Sequence, residues 1–243
     1  TATMMYGHVE APEDVLDHLA SLVEKSLVMA SDVEQTTRYG VLETIRDYAR
    51  EKLHGSDDAA TTAAGHCQHY FAVAKAVRDG LKGADQALWL RRGETELDNM
   101  RVAIAGVLTG SDAVIAVKFA VALTSFWALR GYTSEGRKVV HAARLQPSVQ
   151  ASDTAHAHAL FVEAALASDE NDHAEARELL ETCLELRRRH GDPVQIAATL
   201  STLSQVKLQE GDASGAAECE REALGIFRQL GEKLGEAIGL LHL

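Results

Sequence analysis

The 243-residue sequence is poor in proline, cysteine and aromatic residues. Three prolines leave long stretches free to form helices, because proline interrupts helices and central strands. The three cysteines, Cys67, Cys183 and Cys219, are odd in number and lack C-x-x-C spacing, which argues against a disulfide framework and a zinc knuckle. The N-terminus lacks the charged and apolar regions of a signal peptide, so we expect a cytoplasmic protein.

Basic residues are also scarce. Lys and Arg number 24 against 36 Asp and Glu, which gives a formal net charge of -12. Nucleic-acid affinity rests on neutralising phosphates with basic side chains. Residues 1–41 hold only Lys25 and Arg38 as basic residues, against seven acids: Glu10, Glu13, Asp14, Asp17, Glu24, Asp32 and Glu34. We therefore predict no nucleic-acid binding by this part of the protein.

Long apolar runs are limited to Ala113–Leu129, and this run is too short for a membrane span, which takes roughly 20 residues. Lys118 lies near its middle. The run therefore predicts a buried helix and no membrane partner. The motifs GxxxxGK[ST], GxSxG, HExxH and GxGxxG are also absent. This absence predicts a chain that is not an enzyme and holds no cofactor of its own.

The positive feature is a regular repeat in the second half of the chain. Turn residues recur at equal spacing at Gly131-Tyr132, Asn171-Asp172 and Gly211-Asp212, and a second series follows at Gly191-Asp192 and Gly231-Glu232. Apolar residues keep the same register, as in Ala157, Ala197 and Ala237 or Leu160, Leu200 and Leu240. The pattern predicts helices near 153–169, 173–190, 193–209 and 213–230, with another starting at 233. Hairpins of this kind must stack to bury their apolar faces.

Capping chemistry supports these boundaries. Asp172 and Glu175 have the spacing of a capping box, and Asp192 precedes Pro193, which is favoured at a first helical position. Gly191, Gly211 and Gly231 can adopt the left-handed conformation that ends a helix.

The repeat resembles the tetratricopeptide repeat in a 40-residue form. The unit that carries the resemblance best matches at Leu203, Gly211, Asp212, Ala216, Ala223 and Leu224, but Ser204 and Lys207 depart from the pattern, as does Glu163 in the unit before. The resemblance implies an α-α superhelix, a tetratricopeptide-like solenoid, over 111–243. It also implies a ligand groove lined by the first helix of each unit. The groove residues it selects are Lys118, Ser125, His158, Phe161, Asp169, Ser201, Gln205 and Gln209.

The N-terminal part alone carries strand signals. Pro12–Lys25 and Leu42–Leu53 have helical patterns, and two short strands, at 27–29 and 38–41, lie between them. Helix, hairpin and helix is the layout of a winged-helix module, which we place at 1–55. The fold class predicted for the whole chain is therefore mainly α, with a winged-helix-like module and a short β-hairpin before the solenoid.

Several short segments of the sequence extend the resemblance across the chain. They are LVEKSLV at 22–28, YGVLETIRDYAREKL at 39–53, HCQHY at 66–70, ALWLRRGETELDNMRVAIA at 87–105 and FWALRGYTSEGR at 126–137. Together they resemble bacterial signal-transducing ATPase regulators of the STAND or NB-ARC-like class, often of the LuxR-associated type. The resemblance implies a helical linker at 56–110 and an upstream nucleotide-binding domain of the same chain that holds ATP or ADP.

It also implies a non-catalytic sensor or protein-interaction region of a multidomain transcriptional regulator. Such a region binds a peptide, a protein or a small inducer and relays this to the nucleotide switch.

Alternatives remain at three places. His66 and His69, spaced i, i+3, could form an enzyme or metal site, although packed or solvated histidines are the favoured interpretation. Arg187-Arg188-Arg189 is interpreted as a solvated helix end that neutralises Glu181 and Glu185, with an anion site as the alternative. The apolar residues after Lys233 lack a following helix, so we expect a homodimer through 213–243 or fraying after about residue 232.

Overall fold

The computed structural model describes residues 12–33, 36–110, 112–190 and 192–241. It consists of two compact units, Thr1–Tyr70 and Phe71–Leu243. The division falls within one long helix, Ala59–Gly80. The domain boundaries predicted from the sequence, 1–55, 56–110 and 111–243, stay predictions.

The first unit contains a helix, a β-hairpin and a second helix before the long helix begins. These elements are α1 (Pro12–Glu24), β1 (Val28–Val33), β2 (Thr36–Val41) and α2 (Glu43–His54). The strands pair antiparallel, with Val28 opposite Val41. Val15 of α1 and Val28 of β1 are both buried, as expected if the helix packs its apolar face on the hairpin. The predicted order of helix, hairpin and helix is confirmed.

Among its described residues, the second unit consists of helices joined by short turns. Its helices are α3 (Ala59–Gly80, which begins in the first unit), α4 (Gln86–Thr109), α5 (Val114–Arg130), α6 (Thr133–Arg144), α7 (Pro147–Gln150), α8 (Asp153–Asp169), α9 (His173–His190), α10 (Pro193–Gln209), α11 (Ala213–Leu230) and α12 (Lys233–Leu241). From α8 onward these bounds match the predicted repeat. The predicted fold class, mainly α with a hairpin followed by a superhelical array of helices, is confirmed.

Turn geometry explains why the register of the repeat is so regular. Gly131, Asn171 and Gly211 occupy the same place in successive hairpins, and their φ angles are 74°, 64° and 88°. This left-handed conformation is easy for glycine and tolerable for asparagine. Gly231 adopts it as well, with φ 68°. Gly191, for which the same was predicted, lies outside the described residues.

Helix starts are fixed by side-chain caps. The Asp192 carboxylate accepts from the Gln195 backbone N–H at 3.2 Å, and Pro193 follows as the first helical residue. Asp212 caps α11 in the same way, accepting from Gly215 N–H at 2.9 Å. In the predicted capping box, Asp172 accepts from Glu175 N–H at 3.5 Å, while the Glu175 carboxylate pairs with Arg137 of α6.

Helix α5 is the first helix of the first hairpin and is largely buried. Phe119, Leu123, Phe126 and Trp127 are fully buried, which confirms the predicted buried helix. Trp127 lies against Gly136 so closely that a Cβ at this glycine would overlap the indole ring. Within the described part of the chain, every helix is too short or too polar to span a bilayer.

The last described helix packs on α11 through its glycines. A Cβ at Gly239 would approach Leu224 to 2.7 Å, and a Cβ at Gly235 would overlap the Phe227 ring. The predicted self-association or fraying depends on Leu234, Ile238, Leu240 and Leu241, whose side chains lie outside the described set. It stays a prediction.

Candidate ligand groove on the first helices

The first helices of the hairpins, α5, α8 and α10, are neighbours in the second unit. Helix α5 packs on α8, and α8 contacts α10, while α9 packs against both α8 and α10. A hydrogen bond from Ser168 Oγ of α8 to Gln209 Oε1 of α10, at 3.2 Å, links the ends of two of these helices. The sequence produces this arrangement because each first helix has apolar residues on the faces toward both neighbours.

Each of these helices leaves one face accessible. We call it the first-helix stripe and define it by the eight residues predicted to line the groove. Five are exposed and three are half-buried, and all alternate at helical spacing with fully buried positions. The exposed members are Lys118, Ser125, Asp169, Gln205 and Gln209, and the half-buried members are His158, Phe161 and Ser201. Ligand binding by the stripe stays a prediction.

The members of the first-helix stripe are not all in contact. Ser201 Oγ donates to Glu220 Oε1 of α11 at 3.1 Å, so it is tied to the second helix of its own hairpin. His158 and Phe161 lie one turn apart on α8. In the described residues, no hydrogen bond or ion pair joins Lys118 or Ser125 to the other members.

Arg187 is the functional candidate for which the sequence interpretation was wrong. The expected solvated helix end holds for Arg188, which pairs with Glu222 at 2.6 Å and is half exposed. Arg187 is only 5% exposed, and Glu181, one of the two carboxylates that the run was expected to neutralise, pairs with Arg177 instead. The reason is helical periodicity: neighbours in the Arg-Arg-Arg run point about 100° apart, so one of them faces the interior.

The Arg187 guanidinium ends beside the first-helix stripe. It lies over the Phe161 ring, 4.6 Å from the centroid, and Nη1 donates to the Gln195 carbonyl at 3.0 Å and to Thr199 Oγ1 at 2.6 Å. Arg187 thus bridges α8 and α10 from α9. The sequence contained a signal that position 187 is buried, because the equivalent residue of the next hairpin, Phe227, is apolar.

Burial shifts the pKa values of two stripe residues, His158 and Asp169. Burial, with the nearby positive charge of Arg187, lowers the pKa of His158, so its imidazole is neutral at pH 7. Partial burial raises the pKa of the Asp169 carboxyl. The α8 part of the stripe therefore combines a neutral imidazole with an aromatic ring that stacks on the Arg187 guanidinium.

Glu163 of α8 is the second buried charge beside these helices. Only 1% of its side chain is exposed, and Oε1 lies 2.7 Å from His141 Nδ1 while Arg144 Nε donates to Oε2 at 2.5 Å. Both partners come from α6. The departure from the repeat pattern at this position is thus compensated by the charge of Arg144 and by a hydrogen-bonding contact with His141, both from the preceding helix.

His66 and His69 are packed around an aromatic ring. Their rings lie 4.6 and 4.8 Å from the centroid of Tyr70, which is buried. Burial, followed by the field of His69, lowers the pKa of His66. In the part of the chain that the structure describes, no three His, Cys, Asp or Glu side chains are grouped to hold a metal ion.

Comparisons with known proteins agree with this architecture. Three curated proteins, one from Mycobacterium bovis and two from Mycobacterium tuberculosis strains, are 40% identical to the chain over 125 residues and are named as HTH-type transcriptional regulators. The matched region covers 51% of this chain and 14% of each relative, so the chain corresponds to a small part of those proteins. No family model matches the chain.

A solved structure is similar over nearly the whole chain. It is a signal transduction ATPase with numerous domains from Pyrococcus horikoshii, described as having a tetratricopeptide repeat sensor. The similarity covers 99% of this chain and 43% of that one, with a TM-score of 0.51 and 13% identity. At this identity the likeness is one of fold.

Proposed function

We propose that this chain is the non-catalytic sensor region of a multidomain bacterial transcriptional regulator. Its first-helix stripe binds an effector, either a peptide, a protein or a small inducer. The bound state is relayed to a nucleotide-binding domain of the same protein, in the manner of STAND ATPases, which would hold the ATP or ADP. The LuxR-associated type of output domain and the winged-helix role of the first unit belong to the same proposal.

The accessible stripe is the observation that carries the proposal. Stacked helical hairpins form extended surfaces on which a ligand can contact several repeats at once. Here the accessible face presents amides, hydroxyls and a ring at repeat spacing. An effector that contacts α5, α8 and α10 together can shift the equilibrium between their arrangements, which is the requirement for a sensor.

The relatives support regulation rather than catalysis. The proteins of 40% identity are named as transcriptional regulators, and the protein of similar fold is described as having a tetratricopeptide repeat sensor. The acidic composition of this chain also supports the part of the proposal that any DNA contact lies outside these residues.

The test compares two matched substitutions in the full-length regulator in its source organism. Gln205→Arg adds a charge and bulk on the stripe of α10, and Gln229→Arg adds the same group at an exposed position of α11 outside it. We expect Gln205→Arg to reproduce much of the transcript profile of a deletion strain, and Gln229→Arg to leave the wild-type profile. Circular dichroism of the purified chains checks that both variants fold.

A deletion strain with an unchanged transcript profile would contradict the regulatory role. A folded Gln205→Arg variant with the wild-type profile would contradict the role of the stripe.

A further inference from the structure

Arg187 differs from the half-buried arginines of the second unit in having no acidic partner. Those arginines all pair with carboxylates among the described residues: Arg78, Arg101, Arg137, Arg144 and Arg177. In the same part of the chain, Arg187 forms no ion pair, although it is only 5% exposed. A buried cation without a counter-ion is costly, because water no longer solvates the charge.

The guanidinium is also not fully hydrogen-bonded. Its described hydrogen bonds, to the Gln195 carbonyl and Thr199 Oγ1, both come from Nη1. The buried Nε has no partner among the described residues. Asp192 influences the Arg187 pKa, but its carboxylate is engaged as the N-cap of α10. The Arg187 guanidinium therefore keeps an unused N–H donor and a positive charge without a paired carboxylate.

The fold does not need a cation at this position. The equivalent residue of the next hairpin is Phe227, which packs against Gly235, the equivalent of Gln195. In that hairpin an apolar aromatic side chain occupies the position at no electrostatic cost. The arginine is thus a departure from the repeat that packing alone does not explain.

We propose that Arg187 is an anion-binding site of the first-helix stripe, and that the effector carries a carboxylate or phosphate group that binds there. The proposal rests on the proposed sensor function and specifies the chemistry of its ligand. An anionic group would accept from the donors that Arg187 leaves unused and would supply the missing counter-charge. Arginine suits this role because it stays charged and offers paired donors to both kinds of oxyanion.

The neighbours of Arg187 fit such a ligand. The Phe161 ring lies 4.6 Å from the guanidinium, the charge of Arg187 reaches His158, and both residues are half-buried members of the stripe. A neutral imidazole can donate one hydrogen bond to an oxyanion, and a ring can pack against the carbon skeleton that carries it. Because Arg187 is only 5% exposed, the proposal requires a neighbouring side chain to rotate before an anion reaches the guanidinium.

The experiment uses the purified chain and two probes, inorganic phosphate and acetate, titrated against chloride at constant ionic strength. The Nε–H resonance of Arg187, assigned by its loss in Arg187→Lys, is followed by NMR together with the His158 ring signals. We expect saturable shifts of both with at least one probe. Phosphate binding alone would identify a phosphorylated effector, and acetate binding alone a carboxylate.

Three variants separate binding from structure. Arg187→Met keeps the length and apolar stem, and we expect it to lose the His158 response while melting in chloride at or above the wild-type temperature. Arg187→Lys keeps the charge and should bind with at least tenfold weaker affinity. Arg188→Met, at an exposed ion-paired position, should respond as the wild type does.

The proposal would be overturned by shifts that do not saturate with either probe at any concentration that constant ionic strength permits, or by an unchanged His158 response in Arg187→Met. It would also be overturned if Arg187→Met melted well below the wild type in chloride, because the contacts of Arg187 would then account for the arginine by stability alone. If neither anion binds but Gln205→Arg still changes the transcript profile, the sensor function stands and the effector has no anionic group that binds Arg187.

Discussion

The α6–α8 and α9–α10 interfaces occupy equivalent places in successive hairpins but are held together by different forces. Arg144 of α6 and Glu163 of α8 pair at the first interface. One repeat later along the chain, the same two positions are Leu184 and Leu203, which belong to one hydrophobic cluster. One backbone arrangement thus accepts an ion pair or a pair of leucines.

The comparison shows that the two positions must be considered together. Burying a charge is tolerable when its partner is also present, and burying leucine is favourable when its neighbour is apolar. A mixed pair would leave a charge without a partner in an apolar setting. The repeat therefore specifies compatibility between helices rather than a particular residue type.

The largest expected effect comes from breaking the ion pair on one side only. Glu163→Ala leaves Arg144 without its buried partner and opens a cavity, so we expect a loss of about 3 kcal/mol in the free energy of unfolding. This value is at the low end for buried pairs, because Arg144 retains 19% exposure of its side chain. Urea unfolding followed by circular dichroism measures it.

The control for this loss copies the second interface into the first. Arg144→Leu with Glu163→Leu should restore stability to within about 1 kcal/mol of the wild type or raise it. A double variant as unstable as the sum of its single variants would show that the two interfaces are not interchangeable.

A smaller effect is expected at the turns of the same two hairpins. Gly211→Ala should cost about 1–2 kcal/mol, because alanine is strained in the left-handed conformation that Gly211 adopts with φ 88°. An added Cβ meets no atom within 4 Å at this position, so the cost is one of backbone conformation. The opposite change, Asn171→Gly, should be neutral or slightly stabilising, and thermal unfolding of both variants checks the pair.

If Gly211→Ala were neutral, the recurrence of glycine in this register would need another cause. A large loss on Asn171→Gly would instead show that the asparagine side chain stabilises its turn.

The smallest effect concerns ion pairs that repeat between hairpins. Arg137 pairs with Glu170 at 2.7 Å, and at the equivalent positions of the next hairpin Arg177 pairs with Glu210 at 3.1 Å. Arg137 also hydrogen-bonds Asp172, and this hydrogen bond is the main reason why the Asp172 pKa lies below its ordinary value of 3.8. Because the folded pKa is lowered, the stabilisation is present above the ordinary value and is lost as pH falls through the folded pKa.

Arg137→Gln should therefore raise the Asp172 pKa toward 3.8, as measured by NMR titration of its carboxyl carbon. The matched Arg177→Gln variant should leave the Asp172 pKa unchanged. An equal shift in both variants would mean that the effect comes from net charge rather than from the Arg137 contact.

Much of the fold could be predicted because the relevant forces act over short distances along the chain. The ends of α8 to α11 follow from glycine and asparagine turns, aspartate caps and apolar periodicity, each contained within a few residues. The stripe residues were selected by the resemblance to the tetratricopeptide repeat, which indicates only which face of each first helix is accessible. It gives no information about which side chains from other helices reach that face.

The repeat length and the helix bounds follow from the sequence alone, because capping and periodic burial are local properties. The environments of Arg187 and Glu163 depend on tertiary packing, since both side chains reach neighbouring helices. From the sequence, Arg187 was expected to be solvated, and Glu163 was noted only as a departure from the repeat pattern. The packing of α9 against α10 buries the first, and Arg144 of α6 supplies the charge that pairs with the second.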